Sequence, residues 1–143
     1  NADNKEGCSV REFFEKMVSQ ERKVEMMKEE YHRIRESLDI SGVSYENTGG
    51  TQGSRKTDTM AEIIAEMMDF KNNMKQEEFK LAVMRLKATA AISKLTDDNE
   101  REVLRRWYLM QQSEEKIRNE MGYSQSMIYE FRKRGFKHLE TSE

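Results

Sequence analysis

The chain has 143 residues, enough for one or two small domains but too few for a large enzyme with a separate cofactor domain. Charged residues make up 36% of it and apolar residues 36%, with no proline, which suits amphipathic helices with solvated faces and argues against sandwiches or buried parallel sheets. A net charge of −2 excludes a uniformly basic nucleic-acid coat, so any anionic partner must meet a local patch.

The single cysteine, Cys8, has no partner for an intramolecular disulfide, and no uninterrupted apolar run approaches the ~18 residues of a membrane span. A reduced, cytoplasmic protein without a membrane partner is therefore expected. Residues 1–8 read as a tail with no charged-plus-apolar leader pattern, and Asn1-Ala2 is set aside as a candidate expression scar. Eleven methionines supply flexible apolar surface, suited to filling irregular helix contacts or to adaptable binding faces.

From Ser9 to about Asp39 apolar residues recur every seven positions, at Val10, Met17, Val24, Tyr31 and Leu38, with a second series at Phe13, Met27 and Ile34. Ser9 and Glu12 have the spacing of a capping box. Residues 41–58 break the period with Gly42, Gly49, Gly50 and Gly53 and read as a long flexible loop, in which Tyr45 and Arg55-Lys56 are candidates for partner contact. After Asp58, a plausible N-cap, a further heptad series runs Met60, Met67, Met74, Leu81, Ala88, Leu95, accompanied by Ile63, Phe70, Met84 and Ala91. Glu77 interrupts this second seam, where a carboxylate needs a partner or solvent. Two long helices with matching seams predict an all-α chain whose residues 9–95 form a long antiparallel helical hairpin. A homodimer through the hairpin would bury the same residues.

Residues 96–143 change pattern to three shorter helices. Thr96 reads as the N-cap of the first, with Asp97, Asp98 and Glu100 favoured by its dipole and Val103, Leu104, Trp107 and Tyr108 on its apolar side. Ser113 caps the second, Glu114 to Met121, which turns Ile117 and Met121 inward. Gly122 stands where a helix end wants a left-handed residue, and Ser124 caps the third helix two positions later. That helix, Gln125 to about Leu139, carries Ile128, Phe131, Gly135, Phe136 and Leu139 on one side. From Gly122 to Leu139 there are four Lys or Arg residues against one acid, Glu130.

A short second helix, a glycine-bearing turn and polar residues opening the third helix satisfy the demands of a helix-turn-helix that reads double-stranded DNA. In that geometry Gln125, Ser126 and Tyr129 meet base edges in the major groove, and Glu130 accepts from cytosine. Ser124, Arg132, Lys133, Arg134 and Lys137 reach phosphates. The plainer reading is a trihelical bundle with an ordinary solvated face.

The segment Leu95-Thr96-Asp97-Asp98 through Arg101-Glu102-Val103-Leu104, with Ser113-Glu114-Glu115-Lys116-Ile117 and Met121-Gly122-Tyr123-Ser124, resembles sigma-factor region 4. It resembles more closely the small phage regulators of the ArpU and RinA type. In those a helical N-terminal part and a linker, here Ser41-Gly42-Val43-Ser44-Tyr45, precede the motif. The resemblance covers roughly the last 45 residues and implies a phage or prophage transcriptional regulator, of late genes, acting in the bacterial host cytoplasm with RNA polymerase as a candidate partner. It implies that Ser124 to Lys133 read the groove while Ile128, Phe131 and Phe136 form core. The chain departs from the family at Arg118, which replaces a small residue and must slide its stem to solvent.

Nothing in the sequence points to an enzyme, a cofactor or a metal. His32, His138 and Cys8 lack zinc-ligand spacing, and Gly49-Gly50-Thr51-Gln52-Gly53 lacks the Lys-Ser/Thr ending of a phosphate loop. His32 is expected on a helix surface and His138 toward solvent, with a phosphate contact as its alternative. Two other functions fit the same elements: a small terminase-like DNA-packaging subunit, which would form a ring, and a helical protein-interaction module acting on RNA polymerase.

Overall fold

The structure is a computed structural model that describes residues 9–40 and 54–141, and among these every regular element is helical. Helix α1 spans Val10–Ile40, α2 Ser54–Ser93, α3 Asp98–Leu104, α4 Glu114–Met121 and α5 Gln125–Thr141. A single π-helical turn, Arg105–Leu109, extends α3. The chain is all-α, as its composition predicts. Tyr45 and the linker Ser41–Tyr45 lie outside the described residues.

Two compact units divide the chain, one formed up to Glu21 and from Leu81 onward, the other by Arg22–Lys80. Within Arg22–Lys80 the two helices meet in opposite senses. Lys23 pairs with Glu77 at 3.4 Å and Lys28 with Glu78 at 3.1 Å, while the rings of Tyr31 and Phe70 stack at 6.0 Å. Glu77 sits on the seam as the periodicity requires, and the ammonium groups of Lys23 and Lys80 supply the partners its carboxylate needs. Every member of both apolar series is buried or half-buried. Helix α2 begins at Ser54, four residues before the Asp58 cap expected from the sequence. Asp58 therefore stands inside the helix and not at its start.

The other unit has two cores. In the first, Phe14 and Met17 of α1, Ala88 and Ile92 of α2, Leu95, Leu104, Tyr108, Phe136 and Leu139 exclude water together. The rings of Phe14, Tyr108 and Phe136 meet pairwise edge-on, each pair at 5.4 Å, the arrangement their quadrupoles prefer. The second core joins Val103 of α3, Ile117 of α4, and Ile128 and Phe131 of α5, with Trp107 packed against both cores. Helix α5 thus uses its first half for one core and its second half for the other.

Caps follow the sequence with one correction. Ser9 and Glu12 form the reciprocal box, the Glu12 N–H donating to Ser9 Oγ at 3.1 Å and the Ser9 N–H to Glu12 Oε1 at 3.3 Å. Ser113 Oγ accepts from the Lys116 N–H at 3.2 Å. The cap of α3 is Asp97, not Thr96: its carboxylate accepts from the N–H groups of Asn99 at 2.8 Å and Glu100 at 3.0 Å. A carboxylate attracts the positive end of the dipole more strongly than a hydroxyl, which moves the helix start one residue on.

Two contacts hold α5 against α3. A Cβ added at Gly135 would stand 3.0 Å from Leu104 Cδ1, so the glycine is what lets the helices approach. Glu100, 1% exposed, meets His138 Nδ1 at 2.8 Å through its Oε1. His138 is therefore a partner of a buried carboxylate and not a purely solvent-facing side chain, a pairing across 38 positions that no local pattern reveals.

Gly135→Ala is expected to lower stability by about 1–3 kcal/mol, because Leu104 is fully buried and has nowhere to move; denaturant unfolding measures it. His138→Ala strands the Glu100 carboxylate and is expected to cost about 1 kcal/mol, modest because water gains access past the missing ring. Glu100→Gln, which keeps an acceptor, is expected to cost less than His138→Ala in the same measurement.

Candidate functional site

Residues 113–137 are positioned from the turn outward. The Gly122 backbone lies in the left-handed region at φ 78°, and its N–H closes α4 on Arg118 O at 2.8 Å. Tyr123 then pins the turn: its ring packs edge-on against Phe131 at 5.0 Å, and its hydroxyl accepts from Asn99 Nδ2 at 3.2 Å. Ser124 Oγ accepts from the Met127 N–H at 3.3 Å, so this hydroxyl caps α5 as its sequence position predicts. Arg118 turns along its own helix to pair with Glu114.

The inward side of α5, Ile128, Phe131, Gly135, Phe136 and Leu139, is buried as expected. The outward side presents Gln125, Ser126, Tyr129, Glu130, Lys133 and Lys137 to solvent. The nine residues read from the sequence as base or phosphate contacts divide by what they touch. Gln125 and Ser126 open the first turn, Ser126 Oγ lying 3.4 Å from Ser124 Oγ. Lys133 and Lys137, one turn apart, are exposed and make no ion pair among the described residues.

The two arginines behave differently. Arg134 Nε lies 3.4 Å from Glu130 Oε2, and its guanidinium sits 5.4 Å from the Phe131 ring. The Nε atom is itself buried and lacks hydrogen-bond geometry to that carboxylate, so the contact is an ion pair by distance only. Glu130 and Arg134 thus partly neutralise one another. Arg132 lies 4.1 Å above the Trp107 ring and 5.3 Å from the Tyr129 ring, half-buried against both. Trp107 and Tyr129 are themselves 5.7 Å apart at a 45° tilt. Below this group, burial pushes the Tyr108 phenol above its ordinary range, and the charge of Arg132 acts against that rise.

Trp107 and the turn that carries it were not legible in the sequence as site features; Trp107 reads there only as one more apolar residue of α3. The π turn shifts the register by one position between Leu104 and Met110, whose N–H bonds to Arg105 O at 2.9 Å. Around it, Arg85 Nη2 donates to Leu109 O at 3.2 Å, satisfying a carbonyl freed at the helix end. Arg106 binds Glu120 of α4 as well as Glu102 at 2.7 Å and Gln112 at 3.1 Å. The Glu120 hydrogen bond holds the Arg106 guanidinium above its ordinary range against the opposing effect of burial.

Among the described residues, no group of three or more His, Cys, Asp or Glu side chains is placed to hold a metal ion. None of the described helices is long and apolar enough to cross a membrane.

No atom lies near where a Gly122 Cβ would stand, so backbone strain alone opposes substitution there. Gly122→Ala is expected to lower the thermal midpoint by an amount equivalent to about 1 kcal/mol, with Gly122→Asn closer to wild type because asparagine tolerates the left-handed region.

A family described as "Protein of unknown function (DUF1492)" matches residues 41–140. No curated protein and no solved structure matches the chain. The match takes in all of α2, α3 and α4 and all of α5 but its last residue, and on that extent the chain belongs to the DUF1492 family.

Proposed function

We propose that the protein is a sequence-specific regulator that binds double-stranded DNA, with α3, α4 and α5 acting as a helix-turn-helix similar to sigma-factor region 4. The observation that carries this reading is the division of α5: five residues of its inward side are buried, while Gln125, Ser126, Tyr129, Lys133 and Lys137 face solvent along the other. A helix anchored on one side and polar on the other is what a major groove accepts. The left-handed glycine and the Tyr123 pin support it by fixing the entry of α5.

In this reading Gln125, Ser126 and Tyr129 meet base edges, and Lys133 and Lys137 supply charge to the phosphate backbone. Glu130 and Arg134 act as a pair, with less free charge than either offers alone. By its resemblance to phage regulators of the ArpU and RinA type, we assign the activity to late phage or prophage transcription, with RNA polymerase as a candidate partner and the helices of residues 9–95 as a hairpin available for dimerisation.

A second reading, a helical module that grips another protein, is favoured by one feature of Arg22–Lys80. A groove of about 260 Å³ is lined by Tyr31, Ile64, Met67 and Met68 and flanked by Arg35 and Lys71. Substitutions on α5 separate the two readings.

Fluorescence anisotropy with a labelled duplex, titrated with salt, tests the proposal. Wild-type protein is expected to bind at low salt with affinity that falls linearly on a log–log plot. Lys133→Ala/Lys137→Ala is expected to weaken binding to all sequences and to reduce that slope by about two. Absence of duplex binding at low salt, or indifference of affinity to salt, would refute the DNA reading. Unchanged regulatory activity in the double variant would favour the protein-gripping module.

A further inference from the structure

We infer that Arg132 is a positioning residue for sequence recognition, holding the Tyr129 ring at the groove-facing side of α5 by packing against both that ring and Trp107. The inference rests on the DNA-binding reading and departs from the role that the residue's type and position first imply, a phosphate contact. Neighbouring cations on one helix have different surroundings: Lys133 is exposed, whereas Arg132 is half-buried with its guanidinium carbon 4.1 Å over Trp107 and 5.3 Å from Tyr129.

The geometry explains why arginine stands there. A guanidinium is planar and weakly hydrated, so it lies flat on an indole face and keeps its edge donors; an ammonium group is compact, strongly hydrated and cannot stack in this way. Trp107 gives the stack a fixed base, because it packs against both cores and is carried by the π turn, not by α5 itself. Tyr129 is 41% exposed, and a tyrosine with that much free surface on a helix would sample several rotamers. Contact with Trp107 and Arg132 together confines it to one. A ring fixed before binding loses less entropy on docking and discriminates more sharply between base edges.

The position of the charge supports the same assignment. The α5 surface already has two exposed cations, Lys133 and Lys137, for a phosphate backbone, and among the described residues neither makes an ion pair or contacts an aromatic ring. Charge at Arg132 is spent instead on the two rings and on the buried Tyr108 below them.

The test compares Arg132→Lys, Arg132→Ala and Lys133→Ala in the full chain, using selection from a random duplex library and salt-titrated anisotropy. Trp107 is the only tryptophan, so its emission and acrylamide quenching report the stack in the free protein. If Arg132 positions Tyr129, Arg132→Lys keeps affinity for random duplex within about twofold and leaves the salt slope unchanged, yet loses preference at the base pair that Tyr129→Phe and Tyr129→Ala also relax. It also raises Trp107 quenching while leaving the thermal midpoint near wild type. Lys133→Ala does the opposite, keeping the selected sequence and lowering the slope by about one. Retention of wild-type preference by Arg132→Lys, or a slope lowered by Arg132→Ala as it is by Lys133→Ala, overturns the positioning role and leaves the DNA reading intact. A wild-type protein with no duplex affinity overturns both.

Discussion

The outward face of α5 exists because its inward face is seated on α3 at a distance that leaves little room for any side chain at Gly135. Gly135 lets the backbone of α5 settle against Leu104, which is fully buried, and Phe136 and Leu139 follow it into the core shared with Phe14, Met17 and Tyr108. A larger residue would lift the C-terminal half of α5 while Ile128 and Phe131 still held the first half in a different core. The rotation of the whole helix about its axis is fixed by this two-point attachment. The residues that reach solvent are decided by it, and not by their own polarity.

The π turn solves a related problem. An unbroken α-helix would place Leu104, Trp107 and Tyr108 on one stripe, since residues three and four apart share a face. Across the π turn Tyr108 still joins Leu104 in the first core, within the edge-on ring cluster, and Trp107 packs half-buried against both cores, under Arg132. The freed backbone groups find partners: Arg85 donates to Leu109 O, and the Gln112 N–H reaches back to Arg106 O at 2.9 Å. Leaving the turn places Gln111 at φ 52°, a strained position for a residue with a side chain. The strain is tolerated because Arg106, bonded to Glu102, Gln112 and Glu120, ties both sides of the bend together.

How much of this is readable from the chain depends on how far apart the cause and its effect lie. The capping box at Ser9 and Glu12, the Ser113 cap and the left-handed Gly122 are encoded within four residues, and each is found as expected. The heptad series are longer but still periodic, and burial follows them along both α1 and α2. Asp97 in place of Thr96 shows the limit of even local reasoning, since two adjacent cap formers compete and only the geometry decides. The Glu100 and His138 pair, the Leu104 seat for Gly135 and the Trp107 stack all join residues at least 22 positions apart. No spacing rule connects these, so the sequence supplies the residues without their pairing.

That limit bears most on charge. Counted along the chain, residues 122–139 offer four cations to a polyanion, and all four look equivalent. Folding divides them in two ways. Arg134 is drawn toward Glu130 and Phe131, and Arg132 is drawn against two rings, where desolvation strengthens its attraction to the aromatic faces and restricts its reach. Lys133 and Lys137, compact charges on flexible stems, stay in water. The arginines stack because their planar heads can, the lysines remain solvated because theirs cannot, and the face of α5 acquires an ordered aromatic part beside a mobile cationic one. Recognition of a regular, charged lattice with a varied interior needs both, a diffuse attraction that tolerates any sequence and a rigid surface that does not.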